Sequence, residues 1–117
     1  MKKIQFEELL EFKKDLKQLL KKFRTLNDDL EVVKQDLNDE PGESPTFSYR
    51  INGLGIETFV IKIKKIACKA LKGRGVNSGL RLIYAYYEND GKIIFVELYH
   101  KNDKVNEDRE RILVNFK

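Results

Sequence analysis

The stretch LRLIYAYYENDGKIIFVELYHK, residues 80–101, decides the fold. Two runs rich in β-branched and aromatic residues, Leu80 to Tyr87 and Lys92 to Lys101, flank the segment Glu88-Asn89-Asp90-Gly91. Runs of this composition predict strands, and Asp-Gly is typical of a tight hairpin turn. A two-residue turn at Asp90-Gly91 would pair Arg81 with His100, Ile83 with Leu98 and Ala85 with Val96. This register keeps apolar residues on one face of the sheet, which supports it.

Two further strands precede this hairpin in the sequence. Residues 46–51 alternate between apolar and polar side chains, and Asn52-Gly53-Leu54-Gly55 reads as a turn. The next strand is predicted from Thr58 to Ile66. Its two faces consist of Phe59, Ile61 and Ile63 on one side and Val60, Lys62 and Lys64 on the other.

The N-terminal third has helical periodicity instead. From Phe6 to Phe23 the apolar residues recur at spacings of three and four, which predicts one amphipathic helix. A second helix with Leu30, Val33 and Leu37 begins near residues 25–28 and ends before Pro41. Near the C-terminus, Asn106 is a plausible N-cap for a short helix that docks through Ile112, Leu113 and Phe116.

These elements predict one α+β domain over residues 1–117, with an N-terminal hairpin of two antiparallel helices packed on a small antiparallel β-sheet and a short C-terminal helix. The chain has no signal-peptide pattern and no membrane-spanning apolar run. One cysteine, Cys68, and one histidine, His100, cannot form an internal disulfide or a zinc site. We therefore expect a cytoplasmic protein that uses no metal or other cofactor and contacts no membrane.

Charge is unevenly distributed along the chain. The net charge is +4, and the segment from Lys62 to Arg81 contains no acidic residue. Its basic residues are Lys62, Lys64, Lys65, Lys69, Lys72, Arg74 and Arg81. A local positive field of this kind attracts a polyanion, although charge alone fits an ordinary solvated surface equally well.

The second half of the chain carries a recognisable pattern. A strand with Lys62-Ile63-Lys64 is followed by a basic glycine-containing loop, by Ser78-Gly79-Leu80-Arg81-Leu82-Ile83-Tyr84, and by a strand that ends in Tyr99-His100-Lys101. This pattern resembles the RelE/ParE superfamily of toxins, particularly the HigB-like and RelE-like members of type II toxin–antitoxin systems. The resemblance implies a helical pair on a small sheet, inhibition by a cognate antitoxin, and mRNA cleavage, usually on the ribosome, without a metal.

The chemistry of RNA cleavage explains why these residue types matter. The 2′-hydroxyl can attack the adjacent phosphate, so the protein must move protons and stabilise negative charge on phosphorus. By resemblance, Arg81 matches the phosphate-binding arginine, and Lys62 and Lys64 match the strand pair that supplies base and charge stabilisation. An alignment without a gap would place Lys72 and Arg74 there instead, although this loop suits binding of the RNA backbone better. Lys101 matches the end of the last strand.

The remaining candidates are His100, as a possible acid, and Tyr99, as an RNA-binding ring. A lone histidine is more often structural, so both roles stay open for His100. Asn102 stands where RelE members carry an arginine, and no tyrosine follows in the last helix, so the acid and base assignments stay open. Tyr84, Tyr86 and Cys68 are expected in the core. Two other functions remain: a ParE-like toxin that inhibits DNA gyrase without cleaving RNA, and a non-catalytic RNA-binding module.

Overall fold

The computed structural model describes residues 3–117 and has an α+β fold. Within that range the helices are α1 (Leu10–Leu20), α2 (Leu26–Asp39) and α3 (Arg109–Phe116). The strands are β1 (Gln5–Glu8), β2 (Ser48–Arg50), β3 (Phe59–Ile63), β4 (Leu80–Tyr87) and β5 (Lys92–His100). None of these helices combines the length and hydrophobicity needed to cross a lipid bilayer.

The sheet is mixed, with strand order β1-β5-β4-β3-β2. Strands β2 to β5 pair antiparallel, whereas β1 runs parallel to β5. The expectation of a purely antiparallel sheet, and of a helix beginning at Phe6, was therefore wrong. Phe6 pairs with Ile93 and its ring lies 5.8 Å from that of Phe95, so this segment buries its apolar side chain as an edge strand.

The predicted register of the β4–β5 hairpin was also wrong. A single 3-10 turn at Glu88–Asp90, closed by a left-handed Gly91, replaces the two-residue turn. The turn sets Tyr87 opposite Lys92 and Tyr84 opposite Phe95. A bulge between Tyr84 and Ile83 then shifts the pairing by one residue, so that Arg81 lies opposite Tyr99 and Leu80 lies opposite His100. The bulge leaves Val96 without an opposite residue, and both Val96 and Glu97 reach the face that α3 covers.

Helices cover both faces of the sheet. On one face, α1 and α2 bury Phe12, Leu26 and Leu30 against Leu82, Tyr84 and Phe95. Tyr84 and Cys68 are buried in this core and the half-buried Tyr86 packs against it, as expected. The Tyr84 hydroxyl donates to the carbonyl of Pro41 at 2.7 Å. On the other face, Ile112 of α3 packs against Val60, Ile83 and Val96. The face beneath α3 is the one that carries the charged residues of the candidate site.

The C-terminal helix is attached by polar contacts as well as by packing. Its N-cap is Asp108, whose side chain accepts from the Arg111 N–H at 3.1 Å, so the expected cap at Asn106 was wrong. Arg111 donates to the Asp15 carboxylate at 2.7 Å and to the Val96 carbonyl at 2.9 Å. These bonds connect α3 to α1 and to β5.

Candidate functional site

Three strand ends meet at one end of the sheet and position its cationic side chains. Strands β3 and β5 end at this point, and the antiparallel strand β4 between them begins there. The N–H of Lys101 donates to the Gly79 carbonyl at 2.9 Å and extends the β4–β5 pairing. The N–H of Lys64 donates to the Phe47 carbonyl at 2.8 Å and extends the β2–β3 pairing. Backbone hydrogen bonds therefore hold Lys64, Arg81 and Lys101 in adjacent rows.

A pocket of about 220 Å³ lies between these rows, and we call it the cationic pocket. It is lined by Thr46, Lys64, Lys65, Asn77, Gly79, Arg81 and Lys101. Of the residues expected from the sequence, it brings together Lys64, Arg81 and Lys101. Sequence reasoning missed Lys65 and Asn77 as site residues. Lys65 belonged to the recognised basic run, but Asn77 carried no signal, because it reaches the pocket only through the bridge between residues 66 and 77.

Arg81 is only partly buried, and its guanidinium is fixed from one side. One terminal nitrogen, Nη1, donates to the carbonyl of Lys64 at 3.1 Å and to that of Leu80 at 3.3 Å. These bonds orient the planar group and leave its other N–H donors available. A guanidinium with two free, parallel donors can bind two oxygens of one phosphate at once.

The cations of the pocket are not neutralised by carboxylates. Among the ion pairs of residues 3–117, none involves Lys64, Lys65, Arg81 or Lys101. Lys65 instead donates to the Asn77 side-chain oxygen at 2.7 Å, a neutral partner. Four unpaired positive charges around one small pocket produce a strong local field. An anion such as phosphate would relieve their mutual repulsion.

Lys62 shares the α3 side of the sheet with the pocket but lies outside it. Its amino group is 3.2 Å from the Glu107 carboxylate, and both side chains are buried. Burial opposes the charged form of Lys62, but the neighbouring Tyr99 hydroxyl and Glu107 carboxylate raise its pKa above the ordinary value. Burial opposes ionisation of Glu107 too, yet its own N–H, Lys62 and Arg109 lower its pKa. Lys62 is thus a charged structural partner here, and the base role predicted for it requires this ion pair to open.

Replacing Glu107 with glutamine should destabilise the protein by about 3 kcal/mol near neutral pH, because a buried lysine loses its counter-charge. Because the pKa of Lys62 is raised in the folded protein, its contribution to folding stability is fully present below its ordinary pKa of 10.5 and is lost as pH rises further. Because the pKa of Glu107 is lowered, its contribution to folding stability is fully present above its ordinary pKa of 4.5 and is lost as pH falls further. The deficit, measured by urea unfolding, should therefore be widest between these values and shrink on either side.

Glu110→Gln is the matched control, since Glu110 is an exposed glutamate of α3 outside every ion pair of the described residues. It should change stability by less than about 0.5 kcal/mol. The double variant Lys62→Met/Glu107→Leu should recover most of the loss, because no buried charge remains. Equal effects of Glu107→Gln and Glu110→Gln would contradict a buried ion pair.

His100 is buried and both ring nitrogens have backbone partners. Nδ1 accepts from the Asn102 N–H at 3.1 Å, and Nε2 lies 3.0 Å from the Ser78 carbonyl. This network fits a ring with its proton on Nε2, which donates to Ser78. The ring also stacks on Phe23, with centroids 5.5 Å apart. The geometry favours a structural role for His100. Its expected role as an acid stays a prediction.

The residues expected to bind RNA are dispersed. Tyr99 is 5 % exposed, with its ring 5.7 Å from the amino group of Lys62 and 5.2 Å from that of Lys104. Among residues 3–117 its hydroxyl has no hydrogen-bond partner. Lys72 and Arg74 are exposed in the loop that follows Cys68, and neither lines the cationic pocket. Both side chains therefore lie outside the group of cations that the pocket brings together.

Within residues 3–117, no group of three or more histidine, cysteine or acidic side chains is arranged to hold a metal ion. Comparison with known proteins adds no family assignment: no protein-family model, no curated protein and no solved structure matches the chain.

Proposed function

We propose that the chain is a toxin of the RelE/ParE type, an endoribonuclease that cleaves mRNA without a metal. The observation that carries the proposal is the convergence of four cations around one pocket, with no carboxylate partner for any of them in the described part of the chain. The four are Lys64, Lys65, Arg81 and Lys101. The pocket is large enough for a phosphate group and lies where three strands hold its walls. The resemblance of residues 59–112 to RelE-like toxins supports the choice of RNA as the polyanion.

The proposed reaction uses the nucleophile of the RNA itself. The 2′-hydroxyl loses its proton and its oxygen bonds to phosphorus, while the bond to the 5′-oxygen of the next nucleotide breaks and that oxygen takes up a proton. The products are a 2′,3′-cyclic phosphate and a free 5′-hydroxyl. Arg81 binds the non-bridging oxygens, and its charge stabilises the extra negative charge of the transition state. Lys64 and Lys101 flank Arg81 and are the candidates for proton transfer and further charge stabilisation.

The same resemblance implies the partners. The mRNA would be met on the ribosome, and a cognate antitoxin would hold the enzyme inactive by covering the cationic pocket or by displacing α3. An acidic antitoxin segment would complement the unpaired cations, with fast and salt-sensitive association.

A second candidate function is RNA binding without cleavage. It is favoured by the positions of His100, Tyr99 and Lys62, since three of the expected proton-transfer or contact residues are buried away from the cationic pocket. A pocket with only lysine and arginine cations can bind phosphate without catalysing its transfer. Analysis of the reaction products separates the two candidates.

Purified protein should cleave RNA, free or on ribosomes, and should do so in excess EDTA, because the pocket's own cations supply the positive charge at phosphorus. The products should carry 2′,3′-cyclic phosphate and 5′-hydroxyl ends. The measurement is end-group analysis of the fragments, for example by polynucleotide kinase labelling without prior dephosphorylation. Where ribosomes are used, enough magnesium must remain to keep the subunits associated.

Fragments with 5′-phosphate ends would contradict attack by the 2′-hydroxyl. Bound but intact RNA would favour the RNA-binding module. A protein that leaves transcripts intact but causes gyrase-dependent DNA breaks in expressing cells would instead be the ParE-like inhibitor.

A further inference from the structure

Two exposed aromatic rings lie beside the cationic pocket. Phe47 is 45 % exposed and Tyr49 is 43 % exposed. Tyr49 pairs with Lys62 in the sheet, so its ring projects from the α3 side rather than from the side covered by α1 and α2. The amino group of Lys64 lies 5.9 Å from the centroid of the Tyr49 ring. Aromatic surface and a pocket cation are therefore direct neighbours.

The rings line a second depression, of about 410 Å³, which adjoins the cationic pocket. Phe47 and Tyr49 are part of its wall, and it shares Thr46 and Lys64 with the cationic pocket. Thr46 has a left-handed φ of 73°, which is unfavourable for a β-branched residue. The next residue is Phe47, and its backbone carbonyl accepts hydrogen bonds from the N–H groups of Lys64 and Lys65. The backbone thus holds Phe47 beside Lys64 and Lys65, between this depression and another that faces α2.

We propose that Phe47 and Tyr49 form a stacking platform for bases of single-stranded RNA adjacent to the phosphate bound in the cationic pocket. This inference rests on the proposed function and adds the surface that holds the substrate. Alternation of cations and exposed rings is the arrangement that binds single strands, in which phosphates meet the charges and base faces meet the rings. A duplex keeps its base faces stacked on one another and offers none to a ring.

The other aromatic residues near the site do not meet these requirements. Tyr99, expected to contact RNA, is enclosed between Lys62 and Lys104. Phe59 is 39 % exposed and has a cation above its ring, Arg50 at 4.0 Å, but it pairs with Tyr86 and lies on the side of the sheet covered by α1 and α2. Phe59 therefore has similar exposure and charge without access to the pocket, which makes it a matched control.

The test compares binding of two oligomers that cannot be cleaved. One is a fluorescein-labelled octamer of 2′-O-methyl adenylate, and the other is an abasic oligomer of the same length and charge. Phe47→Ala and Tyr49→Ala should each weaken binding of the adenylate octamer by about 5- to 150-fold, the loss that corresponds to one stacked base. Neither variant should change binding of the abasic oligomer, and Tyr49→Phe should keep the affinity of the parent protein.

Lys64→Ala should weaken binding of both oligomers, because both carry phosphates, while Phe59→Ala should weaken neither. If Phe47→Ala and Tyr49→Ala have no larger effect than Phe59→Ala, or weaken both oligomers equally, the platform is refuted. A surface built for a protein partner would give the first of these results. Because both oligomers lack a reactive 2′-hydroxyl, the outcome is independent of catalysis. Cleavage of ordinary RNA by a protein that fails this test would leave the proposed function intact.

Discussion

Replacing Arg81 with alanine should lower the rate of RNA cleavage at saturating RNA by about 100- to 1000-fold, with a much smaller loss of affinity. The guanidinium is held by the carbonyls of Lys64 and Leu80 before RNA arrives, so its charge needs no reorganisation as negative charge builds on phosphorus. Arg81→Lys should restore only part of the rate, because an ammonium group cannot contact two phosphate oxygens in parallel. Single-turnover cleavage kinetics measure the effect directly.

Two exposed cations of the neighbouring loop serve as the matched control. Lys72→Ala and Arg74→Ala should weaken RNA binding and reduce its salt dependence, with little change in the saturated rate. The fold of each variant must be checked, since Arg81→Ala also removes two hydrogen bonds that contribute roughly 1 kcal/mol each. A folded Arg81→Ala protein that cleaves at the parent rate would show that the active site lies elsewhere, with the loop of Lys72 and Arg74 as the next candidate.

Replacing Gly79 with alanine should destabilise the protein by about 2–5 kcal/mol. Gly79 has a left-handed φ of 87°, and a Cβ there would lie 2.7 Å from His100 Nε2. The imidazole cannot retreat easily, because its nitrogens contact Ser78 and Asn102 and its face is stacked on Phe23. Backbone strain and overpacking therefore act together. Thermal or urea unfolding of the variant measures the loss.

Gly75→Ala separates the two causes. Gly75 also has a left-handed φ, of 55°, but a Cβ there would meet nothing within 4 Å. Only the backbone strain remains, so the expected loss of folding stability is about 1–2 kcal/mol. Equal destabilisation by both substitutions would mean that His100 is free to move, and the rigid role assigned to its ring would then be wrong.

The elements with strong local patterns were predictable from the sequence. The spacing of Phe12, Leu30 and Leu37 identified two helices, and the composition of residues 80–101 identified β4 and β5. Strand β1 was not predictable in the same way. Its apolar residue Phe6 fits a helical stripe as well as a strand, and the pairing that decides the matter involves Ile93, far away in sequence. Local periodicity carries no information about such a partner.

The candidate site was predictable in part, for a similar reason. Lys64, Arg81 and Lys101 follow from strand ends that meet, and the structure places them around one pocket. The burial of Lys62 depends instead on its ion pair with Glu107, which lies in the segment just before α3. The position of Arg81 opposite Tyr99 depends on the turn at Glu88–Asp90 together with the bulge next to Ile83. The return of a distant segment, the length of a turn and the place of a bulge leave no mark on composition or spacing.

The pairing of β1 with β5 has a consequence for synthesis of the chain. Translation produces β1 first, yet its partner Lys92–His100 is the last strand to be made. At about 5–20 residues per second, β1 therefore waits several seconds on the ribosome before it can join the sheet. Lys101, one of the cations that line the pocket, follows directly after that strand. A nascent chain that has not reached Lys92 lacks both β5, the strand between β1 and β4, and Lys101 of the pocket, so the site assembles only late in translation.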